Sequence, residues 1–363
     1  MSIPDFTNAL VFTGGGTGGH FFPAVALAEG ARARWPERSL VFVGAQRGIE
    51  ARRLPGGPWP HLLLDVEGFL GRSPFRAARS AWKLWRAVAL LKARWRRERP
   101  WAVIGTGGYG AAPALLAARS LGIPFFLHES NAAPGALVRL VAPKAERVWC
   151  GMDAVRDLLP GADCLTVGTP VRGAFLRAFR PVAENGPPFR LLVLGGSGGA
   201  RAINEAMLAV AGPLLEAFPD WEILHQTGPA AFEQMKNRSA HARHTLVPFV
   251  ERMDEAMESA SLLVSRAGAS TCAELLAAGR GAILVPMPTS ANDHQRLNAR
   301  ALEASGRARV LLQGGELADP LASLCRELLS DREALIRLGG APEPNRAVEA
   351  CLADLAGILS GRG

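Results

Sequence analysis

Four glycine-rich turns are the residues of this sequence best suited to chemistry. They read GGGTGGH at residues 14–20, TGGYGA at 106–111, GGSGGA at 195–200 and RAGAST at 266–271. Each turn follows a short apolar run and precedes a helical pattern, and the backbone N–H groups at a helix N-terminus favour anions. Any one turn is compatible with an ordinary strand-to-helix connection, but the four together predict a ligand that carries phosphate.

The residues around the turns narrow the class of ligand. Gly14, Gly16 and Gly19 fit the GxGxxG pattern of dinucleotide-binding folds, so a dinucleotide is an alternative. The next strand, however, ends in Gly44 and Ala45, where an acid would bind the ribose. No turn carries the GK[ST] of a P-loop, and no Asp-x-Asp occurs in the sequence. We therefore expect no metal and no cofactor, and we expect helix N-termini and arginine to stabilise the charge of a leaving group.

The elements that must position these turns form two similar halves. Short apolar runs, which predict buried strands, lie at residues 9–13, 40–43, 102–104, 125–127, 148–150, 190–194, 223–225, 262–264 and 282–285. Runs of this kind, without polar alternation and separated by helical stretches, are typical of parallel sheets covered on both faces. The sequence therefore predicts an α/β protein with two Rossmann-like, doubly wound parallel-sheet domains.

Glycine and proline mark the predicted domain boundaries. We expect a first domain over residues 1–168 and a second over 169–342. Residues 343–363 are predicted to form a last helix that packs back on the first domain.

Composition excludes several classes of protein. The chain has 363 residues, of which 48% are hydrophobic, so it can fill two cores and is not disordered as a whole. Its five cysteines are odd in number and never spaced CxxC, which indicates reduced thiols in a cytosol. The uncharged stretches 8–28 and 101–118 are each interrupted by glycines and a proline, so we expect no transmembrane helix.

Positive charge is concentrated in residues 72–99, called here the basic segment. It holds ten Lys or Arg and a single acid, Glu98, while the whole chain has a net charge of +8. Its large apolar residues recur three or four positions apart, and we predict that they share one helical face: Trp82, Trp85, Val88, Leu91 and Trp95. The segment indicates a polyanionic partner, although core packing of these tryptophans is an alternative.

Seven blocks of sequence, in order along the chain, resemble one family. They are GGGTGGHFFPA from residue 14, GGY at 107–109, HESN at 128–131, PVR at 170–172, GGSGGA at 195–200, residues 269–274 and DHQRLNA at 293–299. Together they resemble the MurG family, the UDP-N-acetylglucosamine:lipid I N-acetylglucosaminyltransferases of bacterial peptidoglycan synthesis. The resemblance runs from about residue 8 to the final helix. HESN stands where the family more often has HEQN, GTPVR replaces GNPVR, and His294 stands where some members have a second glutamine.

The resemblance implies a GT-B fold, with a cleft between the two domains. It implies an inverting transfer of N-acetylglucosamine (GlcNAc) from UDP-GlcNAc to the 4-hydroxyl of the N-acetylmuramic acid of lipid I, which forms lipid II. Such an enzyme takes part in cell wall biogenesis and thereby in cell shape and cell division. By the same resemblance, the first domain would bind lipid I as a peripheral protein at the cytoplasmic face of the bacterial membrane, and the second would bind UDP-GlcNAc.

The resemblance also suggests which residues carry the chemistry on the acceptor side. His20 would be the general base that takes the proton of the acceptor hydroxyl. Glu129 competes for that role, or orients the base or the acceptor. Asn131 would contact GlcNAc, and Tyr109 would face the acceptor. Each has a plainer alternative, such as a histidine that caps the turn or a buried tyrosine ring.

A larger set would bind UDP-GlcNAc. Its members are Thr17, Gly18, Gly19, Asn131, Arg172, Ser197, Val250, Ala269, Ser270, Thr271, Glu274 and Gln295, with Asn204 as a weaker candidate. Arg172 and Ser197 would bind the diphosphate, and Val250 would recognise uracil through its backbone. Glu274 would accept both ribose hydroxyls, and Gln295 would bind GlcNAc hydroxyls. The plainer alternatives are a salt bridge for Arg172 and an exposed helix acid for Glu274.

Lipid I also gives the basic segment a role, since a basic helix with interfacial tryptophans binds anionic bilayers. We expect a membrane patch formed by Trp82, Trp85, Arg86 and Trp95. Three alternative functions stay open: a UDP-sugar transferase with another lipid acceptor such as diacylglycerol, a UDP-GlcNAc 2-epimerase, and a nucleic-acid-binding protein that stacks bases on these tryptophans. The last leaves the glycine turns unexplained, so we expect no nucleic acid partner.

Overall fold

The computed structural model describes residues 4–68, 74–239, 241–290 and 293–361. Arg72 of the basic segment therefore lies outside the described residues. The chain forms two compact units. Unit 1 comprises Met1–Gly173 and Asn345–Gly363, and unit 2 comprises Ala174–Pro344.

Unit 1 is built on one parallel sheet. Its strands are β1 (Leu10–Thr13), β2 (Leu40–Ala45), β3 (His61–Leu64), β4 (Ala102–Gly105), β5 (Phe125–Glu129), β6 (Arg147–Cys150) and β7 (Cys164–Thr166). Helices α1 to α5 span Gly18–Arg34, Glu50–Arg53, Pro74–Trp95, Ala112–Leu121 and Ala136–Val141. The strand order β3-β2-β1-β4-β5-β6-β7 reverses at β1, which pairs in parallel with both β2 and β4. The first glycine turn thus leaves β1 at the switch point, where doubly wound sheets bind ligands.

Unit 2 repeats this plan. Its strands are β8 (Phe189–Leu194), β9 (Trp221–Gln226), β10 (His244–Val247), β11 (Ala260–Ser265), β12 (Ala282–Leu284) and β13 (Ala308–Val310). Helices α6 to α12 span Arg201–Ala217, Pro229–Met235, Met253–Ser259, Ala269–Ala278, His294–Ala304, Ala318–Ser330 and Arg332–Gly339. The order β10-β9-β8-β11-β12-β13 places β8 at the switch point, and the third glycine turn follows β8. The predicted pair of doubly wound α/β domains is confirmed.

Alternation along each strand of unit 1 gives the sheet two apolar faces. Val11, Val43 and Leu127 face one core, which includes side chains of α3 and α4. Phe12 and Phe126 face the other, which includes α1 and residues of α13 (Ala347–Ser360). Because successive side chains of a strand point to opposite faces, each short run supplies both cores.

The last helix, α13, completes unit 1. A methyl group on Gly30 of α1 would lie 2.4 Å from Cγ1 of Val348, so the two helices are in close contact. Asp354 accepts hydrogen bonds from Nε of Arg147 at 3.1 Å and from Nε1 of Trp149 at 2.8 Å. Helix α13 is therefore packed into the same core as helix α1.

The apolar residues of the basic segment do not share one exposed face of helix α3, as the prediction had them. Leu91 and Trp95 are fully buried in the core, whereas Trp82 and Trp85 are 54% and 67% exposed. The prediction that Trp95 belongs to a membrane patch is therefore wrong. Successive steps of three residues drift around a helix with 3.6 residues per turn, so positions 82 and 95 lie roughly 140° apart. Lys83 is also buried, and its ammonium contacts Asp65 and Glu67 at 2.9 and 2.5 Å.

A buried arginine, Arg280, forms hydrogen bonds with three segments of unit 2. Arg280 is fully buried and donates to carbonyls at the ends of α8 and α9, among them those of Met257 at 2.8 Å and Ala278 at 2.9 Å. A further N–H donates to the Arg180 carbonyl at 2.8 Å. Burial lowers the pKa of Arg280 to about 10. Within the described ranges, no helix is both long and apolar enough to cross a bilayer.

Candidate active site

The first two glycine turns of unit 1 touch each other at the carboxyl ends of β1 and β4. The N–H of Gly15 donates to the carbonyl of Gly107 at 3.4 Å. A methyl group on Gly108 would lie only 2.0 Å from the Gly15 carbonyl oxygen, and Gly108 has a φ of +78°. Both the contact and the positive φ therefore require glycine at this position.

A buried acid that the sequence analysis missed, Glu50, lies against the first turn. Its carboxylate accepts the N–H of Gly16 at 2.8 and 3.0 Å and the N–H of Ala45 at 3.2 Å. The side chain is 1% exposed. Burial raises the pKa of Glu50 above its ordinary value, while the N–H donors act in the opposite direction. The carboxylate thus joins the turn after β1 to the end of β2.

His20 is held in a single useful tautomer. Its Nδ1 lies 2.8 Å from the carbonyl oxygen of Thr106, and the Thr106 hydroxyl donates to the His20 carbonyl at 2.6 Å. Because a carbonyl can only accept, Nδ1 carries the proton and Nε2 presents its lone pair. The ring is half-buried. A neutral imidazole oriented in this way can take a proton from a hydroxyl group.

The N-terminus of α1 is formed by the end of the first glycine turn and includes His20. Thr17 is the N-cap residue, with extended backbone, and its carbonyl accepts the N–H of Phe21 at 3.1 Å. Gly18 is buried and begins the helix, while Thr17 is exposed. The first N–H groups of a helix have no partner within it and carry partial positive charge. Thr17, Gly18 and Gly19 therefore form a site suited to an anion.

Tyr109 packs directly on the first turn. A methyl group on Gly16 would lie 2.5 Å from Cε1 of the tyrosine ring. The phenol hydroxyl donates to the carbonyl of Arg47 at 3.0 Å. The single tyrosine of the chain therefore lies against the first glycine turn of unit 1.

The HESN block begins with a histidine that is structural. His128 is fully buried, and its Nε2 lies 2.9 Å from the Gly168 carbonyl oxygen. Its Nδ1 lies 3.1 Å from the Ser130 hydroxyl. Burial lowers the pKa of His128 to about 4, so the ring is neutral and links the end of β5 to residue 168.

Glu129 uses both carboxylate oxygens within its own loop. Oε1 accepts the backbone N–H and the side-chain amide of Asn131 at 3.0 and 2.9 Å. Oε2 accepts the N–H of Gly135, the N-cap of α5, at 3.0 Å. The carboxylate is 1% exposed. This geometry suits an orienting role, in which Glu129 fixes Asn131, better than proton transfer.

Arg172 belongs to unit 1. Its guanidinium lies 4.6 Å from the centre of the Phe22 ring on α1, a cation–π contact. The neighbouring Gly173 N–H donates to Oε2 of Glu29, also on α1, at 2.8 Å. The described contacts of Arg172 therefore place it beside the helix that follows the first glycine turn.

The third glycine turn, in unit 2, is shaped by a neighbouring loop. A methyl group on Gly199, which has a φ of +79°, would lie 1.9 Å from the Thr227 carbonyl oxygen. Likewise, a methyl group on Gly228 would lie 2.3 Å from the Gly198 carbonyl oxygen. Ser197 is half-buried at the tip of the turn, and α6 begins at Arg201. The turn and the helix N-terminus have the geometry that favours an anion.

A buried amide, Gln226, connects this turn to Val250. Its Nε2 donates to the Gly196 carbonyl at 2.8 Å, and its Oε1 accepts the Val250 N–H at 3.2 Å. Gln226 is 2% exposed, and the sequence analysis did not consider it. The Val250 N–H is therefore engaged within unit 2.

Asn204 is part of the core of unit 2 and not of a binding surface. It is fully buried, and its amide donates to the Thr227 carbonyl at 2.8 Å. Its Oδ1 lies 3.1 Å from Nε2 of His225, whose Nδ1 lies 3.3 Å from Nε2 of His244. Burial lowers the pKa of His225 to about 3 and that of His244 to about 4. The interpretation of Asn204 as a ligand-binding residue is wrong, because its polar atoms are used internally.

The fourth glycine turn leads into helix α9. Its N-terminus comprises Ala269, Ser270 and Thr271, of which the first two are buried. Glu274, one turn further, is 6% exposed. The alternative interpretation, an acid exposed on the helix surface, is therefore excluded. Asn298 of α10 donates to the Ala267 carbonyl at 3.1 Å and thereby fixes the turn.

Gln295, in the first turn of α10, contacts the loop that follows β12. Its Oε1 accepts the Met287 N–H at 3.0 Å, and its own N–H donates to the Ser290 hydroxyl at 3.4 Å. Within the described ranges, no group of three or more His, Cys, Asp or Glu side chains is arranged to hold a metal ion.

The predicted residues therefore fall into two groups, one in each unit. Unit 1 contains His20, Tyr109, Glu129, Asn131 and Arg172, with the α1 N-terminus. Unit 2 contains Ser197, Val250, Glu274 and Gln295, with the N-termini of α6 and α9. Glu50 and Gln226 were missed, although both lie at or soon after the carboxyl end of a predicted strand. Polar side chains at that edge were the available signal.

Known proteins resemble nearly the full length of this chain. The model of the N-terminal domain of glycosyltransferase family 28 matches residues 10–150, and that of its C-terminal domain matches residues 190–349. Relatives named UDP-N-acetylglucosamine–N-acetylmuramyl-(pentapeptide) pyrophosphoryl-undecaprenol N-acetylglucosamine transferase occur in Syntrophotalea carbinolica and Acidithiobacillus ferrooxidans. The first is 42% identical over 92% of this chain and 93% of its own. The second is 40% identical over 91% of each.

A solved structure agrees with this match. The crystal structure of MurG from Acinetobacter baumannii superposes with a TM-score of 0.72 at 27% identity, over 97% of this chain and 99% of that one. The predicted GT-B fold class is thereby confirmed. With matching models for both domains and relatives above 30% identity along nearly all of its length, the chain belongs to glycosyltransferase family 28 and, within it, to the MurG family.

Proposed function

We propose that this chain transfers GlcNAc from UDP-GlcNAc to the 4-hydroxyl of the N-acetylmuramic acid of lipid I. The product would be lipid II, the precursor of peptidoglycan. The observation that carries the proposal is the match over 92% of the chain to relatives named for this transfer. The orientation of His20, with a basic nitrogen next to two glycine turns, supplies the chemistry that the acceptor needs.

The proposed reaction is a single inverting displacement. The acceptor oxygen attacks C1 of GlcNAc, the bond from C1 to the phosphate oxygen breaks, and UDP leaves. Nε2 of His20 takes the hydroxyl proton as the new bond forms. The hydrogen bond from Nδ1 to the Thr106 carbonyl, 2.8 Å long, stabilises the imidazolium that results. Glu129 holds Asn131 in position for the sugar through its two hydrogen bonds to that residue.

Unit 2 would bind the donor. Ser197 and the N-terminus of α6 would hold the diphosphate, together with the N-terminus of α9, since both ends offer N–H groups to an anion. Glu274 would accept the ribose hydroxyls, and the Val250 carbonyl would accept a hydrogen bond from uracil. As UDP departs, Arg172 of unit 1 would add positive charge that stabilises the leaving group.

Peripheral binding at the cytoplasmic face of the membrane is part of the proposal, because lipid I is a membrane lipid. Its support is the outer face of α3, where Phe75 is 91% exposed and Trp82, Trp85 and Leu90 are at least half exposed. The Arg86 guanidinium lies 4.7 Å from the centre of the Trp82 ring. Exposed aromatic rings beside arginines suit the interface of an anionic bilayer.

One assay separates this function from the alternatives. The purified chain is incubated with UDP-GlcNAc and a lipid I analogue, with EDTA present, and disaccharide formation and UDP release are measured. We expect both products in equal amounts, without added metal. Transfer to diacylglycerol instead would identify another lipid acceptor. Conversion of UDP-GlcNAc to its 2-epimer without acceptor would identify an epimerase, and recovery of activity only on adding Mg²⁺ or Mn²⁺ would contradict the metal-free reaction.

A further inference from the structure

Glu50 is packed by glycines from three different loops. A methyl group on Gly15, after β1, would lie 2.2 Å from its Oε1, and one on Gly110, after β4, would lie 2.8 Å from the same atom. A methyl group on Gly48, after β2, would lie 2.9 Å from Oε2. The absence of side chains at these positions gives the carboxylate its space. One buried acid therefore fills the gap between the loops that follow β1, β2 and β4.

The same loops hold the ring of His20. A methyl group on Gly107 would lie 3.0 Å from Nδ1 of His20, and one on Gly108 would lie 3.1 Å from Cδ2. Gly108 in turn is in contact with the Gly15 carbonyl. A shift of the first turn away from Glu50 would therefore change the surface on which the imidazole rests.

A carboxylate is the side chain that this position demands. Its carboxylate accepts the backbone N–H groups of Gly16 and Ala45, and both oxygens take part. An amide with its oxygen in the Oε1 position would still accept both N–H groups, but its NH₂ group would take the place of Oε2, 2.8 Å from the Gly16 nitrogen. Two donors that face each other at this distance repel, so the turn would move.

We propose that Glu50 is a positioning residue for catalysis, which keeps the first glycine turn and His20 in the geometry that the acceptor requires. This role rests on the proposed function, because it acts through His20 on the acceptor. Glu50 itself takes no part in proton transfer. Its effect is on kcat and on the KM for the acceptor, while binding of UDP, which we assign to unit 2, is unaffected.

The experiment compares the parent enzyme with Glu50→Gln. For each, kcat and the KM for a lipid I analogue are measured, UDP affinity is measured by calorimetry, and the folded fraction by thermal unfolding. We expect kcat per folded molecule to fall about tenfold to a hundredfold, since small misplacement of catalytic groups has effects of that size. UDP affinity should stay within about twofold, because the substitution is made in unit 1 and UDP binding is assigned to unit 2. A folded Glu50→Gln enzyme with parental kcat would overturn the proposal.

Gly110→Ala tests the same contact without changing the acid. Its methyl group would press on Oε1, and Gly110 has no positive φ that alanine would resist. If Glu50→Gln does not fold, this variant decides, and parental kcat in it would overturn the proposal. Two control variants should keep kcat per folded molecule. Asp354→Asn removes another acid of unit 1, and Gly212→Ala adds a methyl group with no atom within 4 Å.

The outcomes also separate this role from the proposed function. A parent enzyme that releases no UDP in the presence of the lipid I analogue would contradict the function itself. An active parent with unaffected variants contradicts only the role of Glu50.

Discussion

The glycine turns at the two switch points are held by different side chains. In unit 1 a carboxylate, Glu50, accepts backbone N–H groups from two loops. In unit 2 an amide, Gln226, donates to the carbonyl of Gly196 and accepts the N–H of Val250. Both side chains are buried and both join a glycine turn to a neighbouring loop, so the architecture repeats while the chemistry does not.

The difference has an electrostatic meaning. A neutral amide beside the turn of unit 2 fixes it without a negative charge close to the diphosphate that we assign there. A carboxylate in the same position would repel the phosphates, because charges inside a protein interact more strongly than in water. In unit 1 the assigned reaction is proton removal by His20, and a nearby anion stabilises an imidazolium. In each unit, the side chain that joins the loops therefore has the charge that suits the role we assign to that unit.

The largest effect should come from His20→Ala in unit 1. General base catalysis contributes roughly 10²–10⁴-fold, so kcat should fall by that amount while UDP affinity, measured by calorimetry, is unchanged. His61→Ala is the matched control, since its ring also contacts a backbone carbonyl, that of Trp59, at 2.9 Å. A loss below about tenfold in His20→Ala would assign the base to another group.

Glu274→Ala should show the opposite pattern in unit 2. A hydrogen bond to a charged group contributes about 1.5–3 kcal/mol, so loss of the ribose contacts should raise the donor KM by about ten- to a hundredfold. kcat at saturating donor should change much less. The control is Glu255→Ala, which removes an exposed acid of the same unit. Unchanged UDP affinity in Glu274→Ala would refute the ribose assignment.

Gln226→Glu tests the comparison directly. The change introduces a negative charge and removes the donor to Gly196, so UDP affinity should fall about tenfold, the size expected when a buried hydrogen bond is lost. The acceptor KM should stay at the parental value, because the acceptor is assigned to unit 1. Titration calorimetry with UDP is the measurement. Equal affinity in the variant and the parent would show that a carboxylate is tolerated and that the difference between the units has no electrostatic basis.

Acid should destabilise unit 2 more than unit 1. The pKa values of His225 and His244 in unit 2 are lowered to about 3 and 4, and that of His128 in unit 1 to about 4. Below pH 6.5 the unfolded chain binds protons that the folded chain does not, so stability falls as pH drops toward these values. Each histidine lowers the free energy of unfolding by up to about 1.4 kcal/mol for every pH unit of this fall. The raised pKa of Glu50 has the opposite sign and favours folded unit 1 in acid.

Hydrogen exchange resolves the two units in the intact chain. Between pH 7.5 and pH 5, protection of the amides of β9 should decrease more than protection of those of β5. Equal decreases would contradict the assignment of the histidine shifts.

The smallest effect on chemistry is expected from the outer face of α3. Replacing Arg79 and Arg86 of α3, together with Arg96 directly after it, with Glu should weaken binding to anionic vesicles, because each basic residue near the surface contributes about 1 kcal/mol. Turnover of a short-chain soluble acceptor should be unchanged. The same three residues changed to Lys serve as the control. If the Glu variant sediments with vesicles as well as the parent does, this face is not the membrane surface.

The sequence predicted the inner strands of the two sheets better than their outer strands. Every apolar run predicted as a strand is a strand, whereas β3, β7, β10 and β13 were missed, and these are the outer strands of the two sheets. An outer strand has one neighbour and is only partly covered, so its sequence can include polar residues such as Arg309 in β13. Continuous apolar runs arise where both faces and both edges are covered.

The site residues show a similar limit. Motif positions such as His20 and Glu274 could be found, because the blocks around them are continuous in sequence. Glu50 and Gln226 act across the fold, through contacts with residues 16 and 250. Trp95 was assigned to the wrong face because spacing alone does not say which side of a helix is covered. Contacts between distant segments decide these cases, and one sequence does not reveal them.

The close contact between Gly30 and Val348 has a consequence for the order in which the protein forms. Unit 2 is one continuous stretch of chain, inserted between the body of unit 1 and its last helix. During synthesis the apolar surface of α1 stays uncovered until unit 2 and α13 have both been made, although amino-terminal domains usually fold first. A ribosome that stalls inside unit 2 would therefore present an unfinished unit 1 to chaperones and proteases. The 14 residues of α13 therefore determine when unit 1 is complete.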